Sequence, residues 1–151
     1  MSAVQKIVEW VKKHWDVISY LFFGGCTTVV NWVSYYLLFN VFHVSNIVST
    51  AIAWLLAVIF AFITNKLWVF NSKSFDRKTL VHEIWTFFTA RVLTGLIDVG
   101  IMFLTVDVWG MNTPFWSTFW KIVSNVIIVI LNYALSKLII FRKQGEKQKE
   151  K

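Results

Sequence analysis

The chain has 151 residues, of which 57% are hydrophobic and 15% charged, with a formal net charge of +7 and a mean hydropathy of +0.61. A soluble domain is about 45–50% apolar and about 25% charged, and a fold of this size cannot hide such an excess. A soluble enzyme is therefore excluded and an integral membrane protein is indicated; the positive charge then reports topology and anionic lipid rather than nucleic acid.

The first sixteen residues form an element of their own. Val4, Ile7, Val8, Val11 and Trp15 recur at helical spacing, with Lys6, Lys12 and Lys13 between them. Two readings fit: an amphipathic helix on the inner membrane surface, or a plain cytoplasmic extension of the first span. A transmembrane domain follows over 17–141, with spans at about 17–42, 47–70, 84–109 and 114–141. Each exceeds the roughly 20 residues that a helix needs to cross about 30 Å of hydrocarbon. The runs are too long, and alternate too little, for β-strands. Ser45-Asn46 offers a cap for the second helix, and Thr113-Pro114 caps the fourth with proline at its first position. The first run is too long for a cleavable signal peptide and lacks a cleavage site. Residues 142–151 read as a basic cytoplasmic tail.

Lys and Arg are distributed unevenly. Lys6, Lys12 and Lys13 precede the first span, Lys73, Arg77 and Lys78 separate the second and third, and Arg142, Lys143, Lys147, Lys149 and Lys151 follow the fourth. The connections around His43 and Gly110 hold none. The positive-inside rule places both termini and the middle loop in the cytoplasm. Trp15, Trp68 and Trp85 then fall at the inner interface, and Trp109 and Trp116 at the outer one.

Asn65-Lys66-Leu67-Trp68-Val69-Phe70 resembles Ser136-Lys137-Leu138-Ile139-Ile140-Phe141, Asn31 matches Asp98, and Thr27 matches Thr94. The expected fold is all-α: four transmembrane helices as two helical hairpins, both starting and finishing inside, hence parallel repeats about an axis along the membrane normal. The alternative is that two membrane exits look alike because each needs a cation and an aromatic residue.

Polar groups at membrane depth are costly and need a reason. Arg91 lies about two turns past Trp85, roughly 9–10 Å inward, and cannot shed its charge. Asp98 is two turns deeper on the same face, with Thr94 and Gly95 between, so an ion pair of Arg91 with Asp98 or with another helix and a substrate-binding role both fit. Lys121 enters from the other side, followed by Ser124, Asn125, Asn132 and Ser136 along one stripe, which suits a water-lined path or interhelical hydrogen bonds. Ala53, Ala57, Ala61 and Asn65 form a small face for close helix packing. Lys66 meets a phosphate headgroup or snorkels, and Asn31 needs a partner inside the bundle. Arg91 and Lys121, at different depths, suit passage of an anionic headgroup, since both side chains bind phosphate.

The chain has no phosphate-binding loop for ATP and no dinucleotide fingerprint. His14, His43 and His82 lie outside the spans or at their edges, and the lone Cys26 gives neither a disulfide framework nor a Cys-rich metal site. No cofactor and no enzymatic activity are expected; Asp98 and Glu83 are not singled out for acid–base work. Small multidrug transporters also have four helices, but their first carries a membrane-embedded Glu and this one has no acid.

The segment Tyr20-Leu21-Phe22-Phe23-Gly24-Gly25-Cys26-Thr27-Thr28-Val29-Val30-Asn31 resembles the opening of GtrA-like proteins, an aromatic–aliphatic stretch followed by Gly and then Asn or Asp. The second span ends Ala61-Phe62-Ile63-Thr64-Asn65-Lys66-Leu67-Trp68-Val69-Phe70, similar to the family's exit pattern N-F-x-x-N-[RK]-x-W-x-F, and Asn132 to Phe141 is a second copy. Ala61 replaces the first Asn in one copy, and Ser136 the second in the other, so each copy keeps one. The resemblance implies a multi-pass protein of the bacterial cytoplasmic membrane that helps move undecaprenyl-phosphate hexose outward, where a glycosyltransferase decorates teichoic acid or another envelope polymer. Carried over by position, the candidate residues are Asn65, Lys66, Asn132 and Lys137, with the motif aromatics Phe70 and Phe141; similar basic residues in the family's third span support Arg91. The expected partners are a polyprenyl-phosphate sugar lipid, membrane glycosyltransferases and further copies of the chain. Two other classes stand beside this: a scaffold that anchors a glycosyltransferase and moves nothing, with Lys73 to Lys78 as its docking loop, and a proton-coupled exporter using Asp98.

Overall fold

The computed structural model describes residues 2–141. Their regular structure is all helical, with no strand among the described residues, and they divide into one unit ending at Lys73 and another beginning at Ser74. The expected tail at 142–151 lies outside the described residues.

The first unit opens with α1, Ala3–Lys13. Ser2 and Gln5 close a capping box: the Gln5 N–H donates to Ser2 Oγ at 3.3 Å and the Ser2 N–H to Gln5 Oε1 at 2.9 Å. Lys12 and Lys13 occupy the last turn, where cations complement the helix dipole. No residue of α1 is buried. His14, at φ −110° and ψ 22°, separates α1 from α2, Trp15–Tyr36. After a connection at residues 42–45, α3 runs over Asn46–Thr64. Ser45 holds the cap position but makes no side-chain cap bond; the hairpin end is tied instead by Tyr35, whose hydroxyl donates to Asn46 Oδ1 at 2.6 Å. α2 packs along α3, whose buried residues include Ser49, Ala53, Ala57 and Ala61, with Asn65 continuing the row into the turn that follows. Small side chains at four-residue spacing let two backbones approach closely.

The second unit repeats this plan with α4, Arg77–Met102, and α5, Pro114–Leu135. Thr113 caps α5 through Oγ1, which accepts from the Trp116 N–H at 3.4 Å, with Pro114 at the helix start. α4 packs along α5.

Each of these four helices widens in its final turn into a π-type turn: Leu37–Val41, Asn65–Val69, Phe103–Val108 and Ser136–Ile140. An aromatic residue closes each one. Phe42 donates its N–H to Leu37 O, Phe70 to Asn65 O and Trp109 to Leu104 O, all at 2.9 Å, and Phe141 donates to Ser136 O at 3.0 Å. After three of them the chain turns through a left-handed residue, His43 at φ 54°, Asn71 at φ 50° or Gly110 at φ 70°. The next N–H reaches back to a helix carbonyl, as from Ser72 to Lys66 O at 2.7 Å. Carbonyls at a helix end in lipid would otherwise lack donors.

The correspondence between the units extends to side chains. Tyr20 and Phe70 hold ring centroids 6.5 Å apart at 51°, and Phe87 and Phe141, at the matching positions, 6.5 Å apart at 53°. Ser19 Oγ donates to Trp15 O at 2.6 Å, and the matching Thr86 to His82 O at 2.7 Å.

Counted with their π turns, the four helices span Trp15–Val41, Asn46–Val69, Arg77–Val108 and Pro114–Ile140, all long and apolar enough to cross a membrane. The third begins at Arg77 rather than near Ile84, because the apolar stretch marks only the part suited to lipid, while backbone hydrogen bonding continues through the charged first turns. Most large apolar side chains point outward, among them Leu21, Trp32, Ile47, Leu96 and Ile130, as lipid-facing surfaces do. The chain is an all-α, multi-pass membrane protein.

Candidate functional site

The second hairpin gathers a polar cluster between its two helices. α4 contributes Thr94 and Asp98, and α5 contributes Lys121, Ser124 and Asn132. The Lys121 ammonium lies 2.6 Å from Asp98 Oδ2, and Ser124 Oγ donates to Asp98 Oδ1 at 2.6 Å. Toward the C-terminal end of α5, Thr94 Oγ1 donates to Asn132 Oδ1 at 2.9 Å. Ser124, Asn132 and Thr94 are buried. Two rungs of hydrogen bonds thus bridge the two helices at membrane depth, one charged and one neutral.

Arg91 is not part of them. It does not pair with Asp98, because seven residues along a helix separate two groups by about 10 Å of rise, beyond a side-chain ion pair; neighbours meet at three or four residues. Its guanidinium lies 4.7 Å from the centroid of the Phe87 ring. Phe87 is only 2% exposed and also meets the motif aromatic Phe141. Arg91 itself is half-buried and has no carboxylate within ion-pair distance among the described residues. Phe87 carries no signal in the sequence except its match to Tyr20.

Other residues depart from the expected stripes. Asn125 is exposed and Gly95 turns outward, whereas Ser124, Asn132 and Ser136 share the buried face. Lys137 is exposed; its ammonium donates to the Tyr133 hydroxyl at 3.2 Å and lies 5.5 Å from that ring's centroid.

In the first hairpin Asn65 and Lys66 open the π turn after α3. Lys66 does not snorkel. It is 2% exposed, and its ammonium donates to Ser72 Oγ at 3.2 Å. The left-handed Asn71 folds the chain back so that Ser72 can reach it. Asn65 is buried as a residue, but its amide makes no side-chain hydrogen bond among the described residues and its polar atoms keep some access. Asn31, expected to find a partner, makes no side-chain hydrogen bond there either, and it stays half-exposed.

Fold and site define a polytopic helical membrane protein with cations and amides held inside its spans. The chain belongs to the family of the GtrA/DPMS transmembrane domain, which matches it over residues 19–141. It is 41% identical over 127 residues to the uncharacterized membrane protein YwcD of Bacillus subtilis strain 168, covering 84% of this chain and 97% of that one. It is 36% identical over 146 residues to the cell wall teichoic acid glycosylation protein GtcA of Listeria monocytogenes serovar 1/2a, covering 92% and 98%. The GtcA of Listeria innocua is 35% identical, also over 146 residues, covering 94% and 98%. No solved structure matches the chain.

Proposed function

We propose that the protein carries an undecaprenyl-phosphate-linked hexose across the bacterial cytoplasmic membrane, where the sugar is used to glycosylate teichoic acid or a similar envelope polymer. The observation that carries this reading is Arg91: a permanent cation, half-buried within a span, seated on an aromatic ring and without a carboxylate among the described residues. Such a charge inside a span costs up to about 2.5–3.5 kcal/mol on an insertion scale, the value at the helix centre. A lipid phosphate would offset that cost with forked hydrogen bonds. Lys121 supplies a second cation on α5, and the unengaged Asn65 amide a donor and an acceptor suited to a sugar or phosphate. The names of the GtcA relatives support the polymer.

The protein's part is positioning and charge, with no cofactor and no bond made or broken. Both termini and the 71–76 connection lie in the cytoplasm, following Lys73, Arg77 and Lys78. α1 rests on the inner surface, its apolar residues in the headgroup boundary and its lysines toward anionic lipid. Partner glycosyltransferases of the same pathway and further copies of the chain complete the working assembly.

The test is uptake of a short-chain, water-soluble prenyl-phosphate hexose into sealed vesicles. Wild-type uptake that is lost in Arg91→Ala is the expected result; no uptake by folded wild type, even with its glycosyltransferase added, would overturn the reading. A scaffold role has one observation in its favour: Lys73, Phe75, Arg77 and Lys78 are all exposed in one short stretch. Polymer glycosylation that survives charge removal at Arg91 and Lys121 but not scrambling of that stretch would favour the scaffold.

A further inference from the structure

We propose that Asp98 is a resident competitor for Lys121: its carboxylate occupies the ammonium at rest, and the phosphate of an incoming lipid takes its place. This rests on the phosphate-lipid reading above and adds the exchange by which the site opens.

Three observations lead to it. First, both carboxylate oxygens are engaged by different donors, Oδ2 by Lys121 and Oδ1 by Ser124, each at 2.6 Å. The cluster is therefore neutral overall, and a phosphate meets a cation that is already satisfied. When Lys121 leaves, Ser124 still holds the carboxylate, so Asp98 is not stranded without a donor.

Second, the pair is reachable. The Lys121 side chain is 47% exposed and that of Asp98 25%. The ammonium carries three donors on a flexible stem, so a second anion can engage it before the first lets go. A sealed structural pair would leave no such approach.

Third, the fold does not need the pair. The first hairpin has the same helices, the same π turns and the same aromatic pair. At the positions matching Asp98, Lys121 and Ser124 it carries Asn31, Thr50 and Ala53. Asn31 is unengaged, Thr50 bonds only its own helix, to Asn46 O at 2.8 Å, and Ala53 is buried against the packing face. A helical hairpin of this plan closes without the ion pair, which assigns the charges in the second copy to another task.

The test uses the full-length protein in lipid nanodiscs and isothermal titration. The probes are a short-chain prenyl monophosphate, the prenyl alcohol of equal length and inorganic phosphate. Asp98→Asn is expected to bind the prenyl phosphate about tenfold tighter than wild type, because Lys121 no longer leaves a carboxylate to do so. Binding of the alcohol is expected to stay unchanged. Ser124→Ala, which keeps the Asp98 charge but leaves Lys121 as its only side-chain donor, is expected to bind the prenyl phosphate more weakly than wild type, and it decides the matter if Asp98→Asn does not fold. Lys121→Gln combined with Asp98→Asn is expected to erase the gain. Wild type that binds the phosphate while Asp98→Asn binds no tighter and Ser124→Ala no more weakly would overturn the exchange and leave the phosphate reading standing. No phosphate binding by wild type or any variant would overturn both. Inorganic phosphate binding as tightly as the prenyl phosphate would overturn the lipid as the source of the anion.

Discussion

The ring of Phe141 meets that of Phe87 with centroids 6.5 Å apart and planes tilted by 53°. Phe87 in turn lies beneath the Arg91 guanidinium, 4.7 Å away. The last aromatic residue of the second hairpin thus supports, through one intermediate ring, the cation on α4. Phe87 is almost wholly buried, and truncating a buried Phe to Ala costs about 3–5 kcal/mol. Phe87→Ala is expected to lower stability by about 3 kcal/mol in denaturant titrations in micelles. A double-mutant cycle between Phe87 and Phe141 should give a coupling of about 0.5–1.5 kcal/mol. A coupling of zero would mean that the rings only happen to be adjacent.

The neutral rung predicts a smaller effect. Thr94 donates to Asn132 across α4 and α5 at 2.9 Å, and interhelical hydrogen bonds in membranes average about 0.6 kcal/mol with a maximum near 1.7. Thr94→Val and Asn132→Ala are expected to couple within that range. Ala61, which matches Asn132 in the first hairpin, gives Thr27 no such partner, and Thr27 bonds only its own helix, to Phe23 O at 2.8 Å. Thr27→Val should therefore change stability by less than Thr94→Val.

Lys66 and Lys137 stand at matching positions but not in matching environments. Lys66 is 2% exposed and bonded to Ser72, whereas Lys137 lies exposed over Tyr133. A water-soluble amine reagent is expected to modify Lys66 at least about tenfold more slowly than Lys137, since reaction at Lys66 needs a local opening costing more than about 1.4 kcal/mol. Peptide mass spectrometry after brief labelling would read the ratio. Equal rates would contradict the burial.

These contrasts mark what the sequence can and cannot carry. The four helices were legible because lipid demands about 20 apolar residues in a row, and the Thr113-Pro114 start and the Ala53, Ala57, Ala61 face follow from local rules. Which polar groups meet was legible only in part. Spacing places Arg91 and Asp98 on one face, but the partner of Asp98 comes from α5 at the same depth, and that depends on how two helices are rotated against each other. The same rotation turns Asn125 outward while Ser124 turns in. The burial of Lys66 depends on Asn71 adopting a left-handed conformation and bringing Ser72 back, a backbone event with no hydrophobic signature. The π turns are likewise hydrogen-bond shifts, invisible to composition.

α1 predicts a depth profile. Its apolar face, Val4, Ile7, Val8 and Val11, leads directly to Trp15 at the start of α2, with Lys6 and Lys13 on the opposite side. Spin labels at Val8 and Lys13, in a Cys26→Ser background, are expected to differ. The label at Val8 should meet oxygen dissolved in the acyl region, and the label at Lys13 a water-soluble relaxant. The difference should sharpen in vesicles containing anionic lipid and weaken with salt. Equal access to the aqueous relaxant at both sites would return α1 to a plain extension of the first span.

Arg91 offers the sharpest chemical distinction, because charge and shape separate there. Arg91→Lys keeps the cation but loses the planar fork that grips two phosphate oxygens, and with it the flat face that rests on Phe87. A lysine's compact ammonium also holds its water more firmly and would tend to leave the ring for the nearest polar surface. If Arg91 only balanced charge, the lysine variant would carry prenyl-phosphate hexose into vesicles nearly as well as wild type. If it grips a phosphate while seated on Phe87, Arg91→Lys is expected to lose about tenfold in uptake and Arg91→Ala still more. Phe87→Leu, which keeps the apolar volume but removes the ring face, should then fall between wild type and Arg91→Lys, by about the 0.5–1 kcal/mol that a cation–π contact contributes. A Phe87→Leu variant indistinguishable from wild type, beside an Arg91→Lys variant that fails, would separate the grip on phosphate from the seat beneath it.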